Sequence, residues 1–246
     1  MKKKLSFFAA IGLSLALTTS AFAVAFNDIG NSYAKNKILA LSDAGVINGY
    51  PDGTFKPTKG ITRDEFAKMI CVALELPQYP KGAEKFTDVE NWARGYVGTL
   101  IKTGTLKGYS DTKFGGKDSL SREQMATIFV RLLFVETLAS EAYEEGDIPC
   151  NFGDQAQIDN YAKAHVALAQ HIGLIKGDGT NFYPDAKAER QAVARVLYEF
   201  LNARYDYEAA ARQLTDNLDE ESKEVVAKAL EQWIFCQALI DIDLGR

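Results

Sequence analysis

Three arginines, Arg63, Arg122 and Arg190, recur 59 and 68 residues apart, each at the start of a stretch with helical spacing of apolar residues. Two lie inside Thr62-Arg63-Asp64-Glu65 and Ser121-Arg122-Glu123-Gln124. These read as capping boxes: the hydroxyl of Thr62 or Ser121 accepts the third helical amide, and Glu65 or Gln124 reaches back to the cap amide. A box of this kind needs no ligand, but it leaves the arginine unexplained. A cation in the first helical turn faces the positive end of the helix dipole, at a cost of a few tenths to about 1 kcal/mol. Three copies of that placement point to a ligand, because free helix-opening amides beside a guanidinium fork make an anion site. On this reading, replacing Arg63 or Arg122 with alanine weakens binding and leaves unfolding nearly unchanged. The competing reading pairs each arginine structurally with a repeated acid, Asp28, Asp88 or Asp154.

The elements that hold these residues come from an internal repeat. Tyr33-Ala34, Trp92-Ala93 and Tyr161-Ala162 are followed, twelve residues after the aromatic, by Gly45, Gly104 and Gly173, and four later by Gly49, Gly108 and Gly177. Phe55, Phe114 and Phe182 stand eight residues before the arginines, and Phe-x-Asp precedes each unit as Phe26-Asn27-Asp28, Phe86-Thr87-Asp88 and Phe152-Gly153-Asp154. One supersecondary unit is used three times, its copies completing one another's core. Each copy reads as helix, glycine-rich loop, helix. Gly45 and Gly104 fall where a left-handed cap stops the first helix, Val46-Ile47, Thr105-Leu106 and Leu174-Ile175 tuck inward, and Tyr50-Pro51-Asp52-Gly53 is a turn. Pro77 to Gly82 and Ser140 to Pro149 read as linkers. The fold class is mainly α: a signal peptide at 1–23, repeats at 24–80, 81–145 and 146–204, and a C-terminal helical extension at 205–246.

Composition narrows the function. The chain has 28 basic against 33 acidic residues, a formal charge of -5, so no broad basic field exists for a nucleic acid. Cys71, Cys150 and Cys236 have no metal-ligand spacing and are odd in number, and His165 and His171 fall in no zinc or catalytic pattern. No metal, cofactor or disulfide framework is expected, and Cys71 reads as a buried thiol. Lys2, Lys3 and Lys4 ahead of the apolar run Leu5 to Leu17, followed by Ala21-Phe22-Ala23, form the pattern of a secretory signal peptide. The run falls short of the roughly 20 residues that span a bilayer, so the expectation is an exported chain with no membrane span after cleavage.

Together these motifs resemble the S-layer homology (SLH) domain, in three consecutive copies over residues 26 to 204. The resemblance rests on Phe-x-Asp, the aromatic-Ala helix, the segment Gly45 to Pro57 and Ile61-Thr62-Arg63-Asp64-Glu65-Phe66. It implies a pseudo-threefold bundle whose inter-repeat grooves bind a secondary cell-wall polymer, often through an acidic pyruvyl ketal on an amino sugar, and non-covalent attachment to a bacterial wall. The family's Thr-Arg-Ala-Glu motif maps onto Thr62 to Glu65 with Asp64 for Ala, and onto Ser121 to Gln124 with two changes beyond the Ser. In the third copy it maps onto Glu189-Arg190-Gln191-Ala192, which keeps the arginine alone and sets an extra carboxylate beside it. The expected mechanism docks a ligand carboxylate on the helix amides and guanidinium fork. Asp28, Asp88 and Asp154 accept sugar hydroxyls, Gly49, Gly108 and Gly177 let the backbone come close, and aromatic faces stack on the sugar. The phenylalanines themselves are expected in the core.

Beyond the repeats, Val226, Ala229, Leu230, Trp233 and Ile234 make one apolar helical face beside Asp219-Glu220-Glu221. This is either a helix packed on the bundle or a surface for other envelope proteins or a second copy, anchored by Trp233. An exported scaffold for protein–protein contacts or S-layer assembly is the alternative function, and a wall hydrolase ranks below it.

Overall fold

The computed structural model describes residues 26–228. The signal-peptide reading, and the readings placed on Ala229, Leu230, Trp233, Ile234 and Cys236, lie outside the described residues. The helices are α1 (Lys35–Asp43), α2 (Arg63–Ala73), α3 (Arg94–Lys102), α4 (Arg122–Leu132), α5 (Glu136–Glu144), α6 (Lys163–His171) and α7 (Arg190–Arg212). Among the described residues there is no strand, only three isolated bridges that join the segments ahead of α2, α4 and α7.

Each repeat is a short helix, a loop and a second helix: α1 with α2, α3 with α4, α6 with α7. Gly45, Gly104 and Gly173 end the first helices at φ of 71°, 74° and 75°, a region glycine enters without steric cost. The chain then folds back, and Val46, Leu106 and Ile175 donate amides to Leu41, Leu100 and Ala169 within the helix just ended. Both capping boxes form: Thr62 and Ser121 accept from the amides of Glu65 and Gln124, whose side chains return to the cap amides. Glu189 opens α7 without a side-chain cap.

Within a repeat, the Phe-x-Asp segment grips the loop. The Asp28 carboxylate accepts the amides of Phe55 and Lys56, Asp88 those of Phe114 and Gly115, and Asp154 those of Phe182 and Tyr183, all at 2.7 or 2.8 Å. The paired rings pack beside them, with Phe26–Phe55 centroids at 5.4 Å, Phe86–Phe114 at 5.6 Å and Phe152–Phe182 at 5.2 Å.

Between repeats, three backbone hydrogen bonds close a ring. Ile61 donates to Ala188, Ala188 to Leu120, and Leu120 to Ile61, at 2.8 to 3.0 Å. All three residues are buried, so each bond satisfies groups that water does not reach. Around this ring α2 packs on α3, α4 on α6, and α7 returns to α1. At the centre Phe129 meets Phe66 at 6.1 Å and Phe200 at 5.4 Å, one ring from each repeat.

Ser140 to Pro149 is not a plain linker, since its first half belongs to α5. Leu138, Ala139 and Ala142 bury that helix, which packs against α6. Pro80–Ala83 in the first linker forms one 3-10 turn against α3. Helix α7 kinks at Ala203, and Gln213–Asp216 follows as a 3-10 turn. A last helix begins at residue 220 and continues to 228. Asp219 caps it by accepting the Ser222 amide, and the buried Ser222 hydroxyl donates to Glu141 on α5. Leu214 and Leu218 are buried while Asp219, Glu220 and Glu221 face solvent, so this part of the extension packs on the bundle.

The second residues of α2, α4 and α7 are buried clips to the following repeat. Glu123 accepts from the Asp159 amide and the Tyr161 hydroxyl, and Gln191 from the Ser32 hydroxyl. Asp64 receives a long bond (3.4 Å) from the Glu90 amide, and its Oδ1 has no partner. Burial first, then the Glu90 and Asp88 carboxylates, raise the Asp64 carboxyl above 3.8, against the Glu90 amide and the Arg63 charge. A raised carboxyl contributes stability that is complete below the unfolded value and is lost as pH rises through the folded value. Asp64→Asn should therefore raise the thermal midpoint at pH 7 by roughly 2–4 °C and leave it unchanged near pH 3. A lower midpoint at pH 7 would contradict the assignment.

Candidate ligand-binding grooves between the repeats

The repeated arginines are the first residues of α2, α4 and α7, and each reaches across a repeat boundary. Arg63 donates through Nε to Phe114 O (3.1 Å) and through Nη2 to Lys107 O (2.6 Å). Arg122 donates to Phe182 O (2.8 Å) and Lys176 O (3.5 Å), and Arg190 to Phe55 O (2.7 Å) and Asn48 O (3.3 Å). Each guanidinium also lies over the ring of the phenylalanine whose carbonyl it holds, at 4.5 Å (Phe114), 5.2 Å (Phe182) and 4.6 Å (Phe55). Repeat one thus fastens repeat two, two fastens three, and three fastens one. Asp28, Asp88 and Asp154 instead hold loop amides, so the repeated acids are not the arginines' partners.

The helix-opening amides are not free. Arg63 N and Asp64 N donate to Asp118 O and Gly116 O, Arg122 N and Glu123 N to Ala186 O and Pro184 O, and Arg190 N and Gln191 N to Lys59 O and Pro57 O. With the third amide taken by the cap in α2 and α4, the electropositive helix starts are answered by carbonyls of the neighbouring repeat. Nor is alanine at Arg63 or Arg122 expected to spare folding, since hydrogen bonds from a charged donor are worth about 1.5–3 kcal/mol.

What the guanidinium groups retain is a place in the wall of a groove. The Arg63 groove has a volume of about 530 Å³, the Arg122 groove about 590 Å³ and the Arg190 groove about 250 Å³. Every groove draws on all three repeats: the arginine from one, the loop and second helix from the next, an aromatic side chain from the third. Those aromatics are Tyr161 in the Arg63 groove, Tyr33 in the Arg122 groove and Trp92 in the Arg190 groove. They are exposed at 48%, 63% and 48%. Each groove is lined by a second ring, Tyr109, Tyr183 and Tyr50 respectively, and Tyr109 and Tyr50 lie under the Arg63 and Arg190 guanidinium groups at 4.7 and 4.8 Å. Exposed aromatic surfaces beside hydrogen-bonding groups suit a sugar ring.

The three repeated aromatics line the grooves; the sequence places aromatic faces on the sugar without naming Tyr33 or Tyr161, although all three begin the very dipeptides that define the repeat. The signal was there in their lack of a core partner, whereas Phe26, Phe86 and Phe152 are buried as expected. Thr62 and Ser121 serve the caps, and Ser121 also lines the Arg63 groove. Gly49, Gly108 and Gly177 line their grooves, but it is packing that demands glycine there. A Cβ would stand 2.4 Å from Phe26 Cε1 at Gly49, 2.5 Å from Phe86 Cε1 at Gly108 and 2.1 Å from Asn181 O at Gly177. The carboxylate of Glu189 lines the Arg122 groove and accepts from Gln191 Nε2 (2.7 Å), while the acid nearest Arg190 is Glu65, at 3.7 Å.

The S-layer homology domain model matches residues 25–67, 85–126 and 151–194, the three segments that run from Phe-x-Asp into the arginine helix. The chain belongs to the S-layer homology domain family. Similar curated proteins include exoglucanase XynX of Acetivibrio thermocellus, 34% identical over 182 residues, which are 72% of this chain and 16% of that protein. The surface-layer 125 kDa protein of Lysinibacillus sphaericus is 34% identical over 190 residues, 74% of this chain and 15% of that protein. A cellulosome-anchoring protein of Acetivibrio thermocellus is 35% identical over 135 residues, 52% and 30% of the two chains. The SLH chain therefore spans less than a third of the length of each of these relatives. Among its described residues no helix is long and apolar enough to cross a membrane, and no cluster of His, Cys, Asp and Glu is arranged to hold a metal.

In this SLH chain the glycine at position 108 serves the repeat's own packing. Gly108→Ala should lower unfolding free energy in urea by about 1–3 kcal/mol. Unchanged stability would show that the loop has room for the methyl group and that another constraint keeps glycine there.

Proposed function

We propose that this SLH chain is an exported wall-anchoring module whose three repeats form a pseudo-threefold bundle and bind an anionic, pyruvylated secondary cell-wall glycan non-covalently in the grooves between them. Family membership supports a role in cell-wall anchoring and a place at the cell surface, as does the similarity to a surface-layer protein and a cellulosome-anchoring protein. The exoglucanase relative matches over only a small share of its length, which suits a binding module carried by that enzyme rather than its catalytic part. Export rests on the signal-peptide pattern at residues 1–23.

The observation that carries the reading is the Arg122 groove. In a chain of formal charge -5 its wall gathers Arg122, Lys176, Lys187 and Arg195 against Asp178 and Glu189. Asp178 is already engaged by the amides of Thr180 and Asn181 and the hydroxyl of Tyr183. The Arg122 guanidinium is held at Nε and Nη2 by loop carbonyls and lines the groove. A carboxylate on a sugar meets a preorganised fork there, with Tyr33 and Tyr183 to cover the ring.

Purified chain should pellet with wall sacculi of the producing bacterium and stay in the supernatant once acid has stripped the secondary polymer. Arg122→Ala, assayed at a temperature where circular dichroism reports it folded, should lose at least about tenfold in retention. Retention that survives extraction, or an alanine variant that sediments like the parent, would overturn the reading.

A further inference from the structure

The three grooves share a plan but not a charge, and one helical position accounts for much of the difference. Five residues after each repeated arginine, on the same helix, stand Lys68, Thr127 and Arg195. Because every groove takes its arginine from one repeat and its second helix from the next, these positions face a different arginine from their own. Arg195 lines the Arg122 groove, Lys68 the Arg190 groove, and Thr127 the Arg63 groove.

In the Arg122 groove Arg195 adds a second guanidinium to the wall. Its ion pair with Glu199 is long, at 3.5 Å, and Glu199 is shared with Lys37. In the Arg190 groove Lys68 lies over the Trp92 ring at 6.0 Å and shares the wall with Glu65, which already accepts from Tyr50 and the Thr62 amide. The Arg63 groove has no second cation from this position. Its Arg131 is paired with Glu136, its exposed Lys107 matches Lys176 of the Arg122 groove, and its acids are Glu123, Asp159 and Asp185. Thr127 is 2% exposed and its Oγ1 has no hydrogen-bond partner.

Resting on the glycan-binding reading above, we propose that this position is the second ligand contact and divides the grooves by chemistry. The Arg122–Arg195 groove takes the anionic substituent of the glycan between two guanidinium groups. The Arg190–Lys68 groove takes the same group more weakly. The Arg63 groove, with the Thr127 hydroxyl in its wall and no second cation at this position, takes an uncharged, hydroxyl-bearing sugar. Two cations facing one cleft repel each other until a counter-charge enters, so the cost of holding them together is released on binding an anion and not on binding a neutral sugar.

The test is co-sedimentation with intact sacculi at two salt concentrations, for the parent chain, Arg122→Ala, Arg195→Ala, Arg195→Lys, Lys68→Ala and Thr127→Lys, each first shown to be folded by its thermal transition. Arg195→Ala should raise the half-saturating concentration about tenfold and flatten the salt dependence, while Arg195→Lys recovers part of both. Lys68→Ala should cost about threefold, and Thr127→Lys, which gives the Arg63 groove a second cation, should tighten binding and steepen the salt dependence. If Arg195→Ala binds within about twofold of the parent while Arg122→Ala is impaired, the division of the grooves is wrong and the glycan-binding reading stands. If neither arginine matters, or the parent is not retained, the reading beneath it fails as well.

Discussion

A charged donor meeting a backbone carbonyl across a repeat boundary is the interaction on which the rest of this fold depends. Each repeat is too short to bury its own apolar faces, and the loop between its helices leaves carbonyls that its own residues do not satisfy. Arg63, Arg122 and Arg190 supply the missing donors from the repeat before, each guanidinium lying over a phenylalanine ring. The amides that open the arginine's own helix are satisfied in return by carbonyls of the same loop. The dipole penalty for a cation in the first turn is thereby offset, because the side chain leaves the helix axis and the helix start is neutralised by backbone oxygen.

Closing the ring has a functional consequence. A groove made of an arginine from one repeat, a loop from the second and an aromatic from the third exists only when all three are assembled. The same guanidinium fastens the loop and lines the groove: Arg63 and Arg190 are buried there, and Arg122 is half-buried. Burial lowers the readiness of Arg63 and Arg122 to hold their protons, yet an arginine stays charged in any such setting. That makes it the one cation suited to a wall that is half interior.

Much of this was legible in the sequence because it is local. Glycine after the first helix, the capping boxes of α2 and α4 and the paired phenylalanines follow from spacings within one repeat, and the structure places them accordingly. The fate of the helix-opening amides was not legible. Their acceptors lie 52 to 55 residues away in the first boundary, at Gly116 and Asp118, and further still across the boundary that joins Arg190 to Lys59. No period in the sequence announces a hydrogen bond between repeats. Helix α5 was missed for a different reason: Val135 and Leu138 to Ala142 are short and mixed with acids, and the packing against α6 supplies what propensity does not. Tyr33, Trp92 and Tyr161 were visible as markers of the repeat, but only the ring arrangement turns markers into groove walls.

The central claim is that a ligand meets the guanidinium edge in the groove and leaves the helix openings untouched. Nitrogen-15 NMR of the arginine side chains and backbone, during titration with polymer released from the sacculi, addresses it most directly. The account predicts movement of the Arg122 side-chain signal together with the ring signals of Tyr33 and Tyr183, while the backbone amides of Arg122 and Glu123 stay where the loop carbonyls hold them. Displaced helix-opening amides beside an unmoved Arg122 guanidinium, or shifts confined to surfaces away from the grooves, would contradict it.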